Sequence, residues 1–189
     1  RAAAAITKSK GAEVPPPIRG EAAINDSVTE AQKEAGNYPK ARTHDFGKPI
    51  AIETHTGDVR RGTGPEGPWE NPSPYEYGYF NKTKGPDGDH IDFMRPKDGA
   101  PELGDKHFII DQKDAITGKY DEPKVMTYVK DEATARELFA KGFSDGKGPD
   151  RLHDITEVTR PELVKYLAKH TSKPPAGPYG EPMPKAAKP

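Results

Sequence analysis

The chain has 189 residues, with 29 Lys and Arg against 30 Asp and Glu, and a formal net charge of −1. That length suits one domain with tails, and the near-neutral balance gives no electrostatic case for binding nucleic acid or an acidic membrane surface. Cysteine is absent, which excludes disulfides and thiolate metal sites, and no apolar run approaches the length of a membrane-spanning helix.

Residues 1–26 are rich in Ala, Pro and Lys, with Pro15-Pro16-Pro17 favouring extended backbone, and read as a flexible linker. The start lacks the apolar core of a signal peptide and an initiator methionine, so the chain reads as processed or as a piece of a larger protein. Ser27 to Glu30 has the S-x-x-E form of a capping box opening a short helix, with Gly36 to end it. Residues 50–53 (IAIE) and the segment around Val59 are strand candidates separated by a turn at Thr56-Gly57-Asp58. Trp69, in the Pro-rich stretch GPEGPWENP, reads as a core residue in preference to a lid contact.

Further strands are expected at 75–80, at 90–94 after a DG turn, at 107–111 and at 124–129, the last two joined across Thr117-Gly118-Lys119. Asp131 caps a helix to about Lys141, and the glycine-rich loop SDGKGPD (144–150) follows. A second capping box, Thr159 to Glu162, opens a helix to about Lys169. Residues 170–189 hold no Leu, Ile, Val or Phe and read as a Pro-rich tail. The four residue types number 28 in the whole chain, and 23 of these lie between His44 and Ala168, which puts the core there. Short strands with close turn signals suggest a mainly β fold with flanking helices (α+β), a small barrel with two or three helices over residues 27–169.

The densest chemistry is Tyr77 to Asp92, YGYFNKTKGPDGDHID. Asp87, Asp89 and Asp92 crowd within six positions and repel one another unless cations neutralise them. Oxygen-only ligands favour hard ions such as Mg²⁺. A solvated turn is the plainer reading, and an EF-hand loop fits poorly, because Ile91 stands at the fifth position and no glycine at the sixth. Asp114 follows a strand, and Glu122 and Lys124 are two apart, so on a strand they share a face. A carboxylate beside a lysine suits a metal–phosphate site; the alternative is a surface ion pair of little consequence.

The run from Tyr77 to Asp92 resembles the signature of soluble inorganic pyrophosphatases, in which a Y-G-Y-x-N strand leads into D-G-D-P-x-D. Tyr77, Gly78, Tyr79, Asn81, Asp87, Gly88, Asp89 and Asp92 match. His90 stands in place of the usual proline, which loosens the turn and removes no ligand. Across about residues 38–168, the pattern GKPIAIE, VRRGT, YGYF, DGDHID, IIDQ, TGKYDEPKVM and FSDGKG is similar to pyrophosphatase-like domains in polyvalent proteins of phages and conjugative elements.

The resemblance implies an OB-like barrel, inorganic pyrophosphate as substrate, Mg²⁺ as cofactor, a cytoplasmic or virion setting and a larger multidomain parent. It implies metal ligation by Asp87, Asp92 and Asp114, with Glu122 or its neighbour Asp121 as another ligand and Glu53 as an early acidic residue. It makes Asp89 the acceptor of a proton from water, and Tyr77, Lys124 and Arg61, alone or together with Arg60, phosphate contacts. The family's Tyr-Lys phosphate pair is not found; Lys147 or Arg151 replaces it, or the 144–150 loop is simply solvated. Two other functions stay open: hydrolysis of another phosphoanhydride, and a non-catalytic structural or partner-binding module.

Overall fold

A computed structural model of the protein describes residues 11–171. The expected linker residues before 11 and the tail from 172 lie outside the described residues. The elements run α1 (Glu30–Ala35), β1 (Ala41–Asp45), β2 (Lys48–Thr54), β3 (Val59–Gly64), β4 (Gly67–Pro72), β5 (Glu76–Phe80), β6 (Asp92–Arg95), β7 (Leu103–Lys113), β8 (Tyr120–Val129), α2 (Glu132–Lys141), β9 (Leu152–Val158) and α3 (Arg160–Lys169).

The fold is mainly β with flanking helices, as the sequence indicates. Seven strands form one sheet in the order β1-β2-β5-β6-β8-β7-β9, and β3 and β4 form a separate ribbon. Every pair is antiparallel except β6 with β8. The arrangement is consistent with an OB-like fold, although no ladder joins β1 to β9 among the described residues.

Strand alternation sends successive side chains to opposite faces. Phe93 and Val125 join one apolar cluster with Phe46, Phe80 and the α3 residues Leu163 and Leu167. Their neighbours Met94 and Met126 join another with Phe108, Ile110 and the α2 residues Ala135, Leu138 and Phe139. Each face therefore has its own helix. Leu163 and Leu167 are fully buried, each contributing about 1.5–3 kcal/mol. Tyr128, at φ 56°, breaks the alternation at the end of β8. Its ring turns into the α3 layer, where the hydroxyl donates to Asp45 at 2.5 Å.

Both later helix caps form as the sequence suggests: Asp131 accepts from Thr134 N, and Thr159 and Glu162 make a reciprocal box. At α1 the cap differs. Two overlapping patterns compete, and Thr29 with Gln32 forms the box, because Ser27 ends a 3₁₀ turn and donates to Ile24 O instead. Gly36, at φ 62°, stops the helix. Strand β4 was not foreseen, since its prolines suggest a loop; they fit because the ribbon has two edges and no interior strand. Trp69 is not a core residue. It is 38% exposed and lies flat over Gly62 of its own ribbon.

The described part of the leader is not a free linker. Glu13 accepts from Arg160 Nε and His107 Nε2, and the buried Arg95 donates to Pro16 O at 2.8 Å. Arg19 and Arg42 exchange backbone hydrogen bonds, Ala23 is buried, and Ile18 and Ala22 pack on the α3 layer. Prolines and alanines here offer small apolar contacts and open carbonyls, which composition alone reads as flexibility. Deleting residues 1–23 is expected to lower the melting temperature by about 5 °C, since buried Arg95 loses an acceptor, which costs about 1–3 kcal/mol, together with the packing of Ile18. An unchanged melting curve would restore the linker reading.

Candidate active site

The site begins with a bulge. Ile52 of β2 pairs with Gly78 and Thr54 pairs with Tyr77, so Glu53 is the extra residue between them. A bulge re-aims a side chain, and Glu53 here lines a cleft of about 660 Å³. Gly78 makes the close approach of β2 and β5 possible: a Cβ there would lie 1.8 Å from Ala51 O.

Beyond β5, residues 81–91 form a tight loop. Thr83 Oγ1 donates to Phe80 O at 2.6 Å and accepts from Ile91 N at 3.0 Å, pinning both ends. Gly85 N donates to Asp89 O, and Asp89 N donates to Asp87 Oδ1 at 3.1 Å. Asp87 thus shapes the loop, and Asp89 projects into the cleft beside Glu53 and Asp92. No hydrogen bond to the Asp89 carboxylate is made among the described residues.

The parallel ladder sets the charged centre. Asp92 is in register with Lys124, and the Lys124 ammonium donates to Asp92 Oδ2 and to Glu122 Oε1, the latter at 2.7 Å. Glu122 and Lys124 therefore do share a face. Tyr77 donates to the same Asp92 Oδ2 at 2.6 Å, which leaves Oδ1 without a hydrogen bond among the described residues. Lys124 is only 7% exposed. Burial draws its pKa down, but Tyr77, Asp92 and Glu122 outweigh that and hold the ammonium well above its usual range. Burial pushes the Glu122 carboxyl up, against the pull of Lys124. Burial and the Asp92 charge raise the Tyr77 phenol, which stays protonated.

The two neighbouring arginines of β3 diverge, as alternation requires. Arg61 is exposed and paired with Asp26 at 2.6 Å and Glu70 at 3.3 Å. The guanidinium of Arg60 instead lies 4.2 Å from the centre of the Tyr77 ring, with its Nε buried and unpartnered. Arg60, not Arg61, is thus the arginine at the charged centre.

Four other sequence candidates stand apart from the cleft lining. Asp114 accepts from Ile116 N, Thr117 N and Thr117 Oγ1 and organises the β7–β8 turn; those bonds hold its carboxyl below the usual range. Asp121 accepts from Gln112 at 2.7 Å. Lys147 reaches Glu66 at 3.4 Å, and Arg151 forms a two-pronged pair with Asp145. These pairings follow from turn and hairpin geometry, which spacing along the chain does not reveal.

Sequence reasoning missed the opposite wall of the cleft. Tyr38 donates to Glu53, and Lys40 sits 4.0 Å from the Tyr38 ring centre. His90 stacks on Tyr79 at 4.6 Å and 12°, with Nδ1 bonded to Thr83 O. Helix α1 closes the far side through Lys33 to Gly36. The signal available was the departure of His90 from proline.

Among the described residues, no three acidic or histidine side chains converge as a metal cage, so the expected ligand cluster is not assembled. The open oxygens of Asp92 and Glu53 still fit Mg²⁺, which binds through one or two carboxylates, waters and substrate phosphates.

A family model described as Inorganic Pyrophosphatase matches residues 30–168. Among solved structures, an inorganic pyrophosphatase from the bacterium Helicobacter pylori is 18% identical, with 68% of this chain and 94% of that chain covered and a TM-score of 0.41. No curated protein matches the chain.

Proposed function

The chain belongs to the inorganic pyrophosphatase family, and from that premise we propose that it hydrolyses inorganic diphosphate to two phosphates with Mg²⁺ as cofactor. One observation carries the reading: open carboxylates at Asp89 and Asp92 face a cleft, and the other oxygen of Asp92 is held by the buried cation Lys124 and by Tyr77, whose ring carries Arg60. Mg²⁺ held through Asp92 and Glu53 would supply charge neutralisation for the diphosphate oxygens and lower the pKa of water.

The protein's own groups divide the remaining work. Asp89 accepts the proton of the attacking water, since its carboxylate is open to the cleft. Lys124 and Arg60 offer fixed positive charge to the phosphate that leaves, and charge stabilisation is the larger share of phosphoryl-transfer catalysis. Tyr77 keeps its proton and locks Asp92 Oδ2, so Asp92 presents Oδ1. Asp87 positions Asp89 through the loop, and Glu122 steadies Lys124. The sequence pattern alone supports a place in a mobile-element multidomain chain. No helix among the described residues is long and apolar enough to cross a membrane.

Orthophosphate release from diphosphate with Mg²⁺ tests the activity; none from the intact chain would favour a non-catalytic module. A second measurement reads the metal without turnover. Millimolar Mg²⁺ is expected to raise the melting temperature by about 5 °C, because an ion at a hundredfold its Kd stabilises the folded state by about 2.7 kcal/mol. EDTA should reverse the shift, and coincident curves would count against the site.

A further inference from the structure

The cleft is larger than its proposed substrate needs. A volume of about 660 Å³ lies in the range that takes a drug-sized molecule, whereas diphosphate is two phosphorus atoms and seven oxygens. The surplus is not uniformly polar. One wall is the stacked pair His90 and Tyr79, with Tyr38 beyond and Lys40 between the two tyrosines. Ala23, Val28 and Ala35 add apolar surface across the cleft. His90 is fixed, because its Nδ1 donates to Thr83 O at 3.0 Å. A rigid aromatic face next to a cation and open carboxylates is the arrangement that holds a flat, apolar-faced group joined to phosphates.

We infer that the cleft also takes nucleoside diphosphates, with the base on the face of His90 that Tyr79 leaves free and the phosphates toward Asp89 and Asp92, and that the chain cleaves their anhydride bond. This rests on the diphosphatase reading above. The water oxygen forms a bond to the β-phosphorus as the bond from that phosphorus to the bridging oxygen breaks. The electron pair stays on that oxygen, which becomes a terminal oxygen of the nucleoside monophosphate. One water proton passes through Asp89 to solvent and the other stays on the orthophosphate. Every base has a π-face, so stacking of this kind discriminates weakly among bases.

The test uses the full chain with Mg²⁺ and three probes: ADP, methyl diphosphate, which keeps the anhydride and loses the base, and diphosphate. Orthophosphate release gives kcat/KM, and calorimetry gives the Kd of ADP and methyl diphosphate. ADP is expected to exceed methyl diphosphate by about tenfold or more in both kcat/KM and affinity. His90→Ala should cut that ratio to about threefold or less, and Tyr79→Leu should also lower it by removing the ring that backs His90. No release from ADP, an equal response to both esters, or a ratio unchanged in both variants would overturn the inference. Diphosphate is scored separately. Release from diphosphate with none from ADP removes this inference alone, and release from ADP with none from diphosphate removes the diphosphatase reading alone.

Discussion

Asp89→Asn is expected to lower turnover of diphosphate by about 10²-fold or more. Asparagine has the same shape and cannot accept the proton that the attacking water must lose. The Asp89 carboxylate carries no hydrogen bond among the described residues, and the backbone N–H that meets Asp87 is unchanged by the substitution. The melting temperature without metal should therefore stay within about 2 °C of the parent, as for most exposed substitutions. Steady-state phosphate release and a thermal melt on the same preparation make the comparison. Turnover near the parent's value would sink the assignment, and a large fall in melting temperature would show that the loss was one of folding.

The largest structural effect is expected at Gly78. Alanine would place its Cβ 1.8 Å from Ala51 O and 2.8 Å from Ile52 Cα, both backbone atoms of the neighbouring strand. No rotamer relieves that clash, so β2 and β5 must separate or re-register. A cost of about 3 kcal/mol or more follows, which lowers the melting temperature by about 10 °C in a chain of this size. Because the bulge at Glu53 sits in the same ladder, the surviving folded fraction should also bind Mg²⁺ more weakly. A melt indistinguishable from the parent's would show that the strands have room the structure does not give them.

What the sequence revealed and what it hid divide along one physical line. Features written in a few consecutive residues were legible: the caps at Asp131 and Thr159, the aspartates in their loop, and Glu122 and Lys124 sharing a face. Features set by pairing across the sheet were not. The choice between Arg60 and Arg61 depends on which face of β3 meets Tyr77, and β3 pairs with a proline-bearing strand that sequence presents as a loop. Asp114 stands at a turn that its own carboxylate stabilises, so a residue expected to hold metal is occupied by backbone N–H groups. The leader lacks a hydrophobic period, yet Pro16 O, Arg19 and Ala23 engage partners distant in sequence. His90 was visible as a departure, but its stacking on Tyr79 was not, because that depends on how the loop folds back.

The parallel pairing of β6 with β8 has a consequence for how the chain acquires its activity. The antiparallel neighbours β1 with β2 and β7 with β8 are adjacent in the chain, so each closes a short loop at small entropic cost. Asp92 and Lys124 are 32 positions apart, and their strands β6 and β8 are separated in the chain by the whole of β7. Contacts of that separation are slow to form, since chain entropy is lost before they reward it. The charged centre is therefore expected to form only when the two halves of the sheet join, and not within either half alone. A nascent or partly folded chain holds every acidic residue of the site and still lacks the pair that would bind a phosphate. Chemistry in this molecule begins only once its architecture is whole.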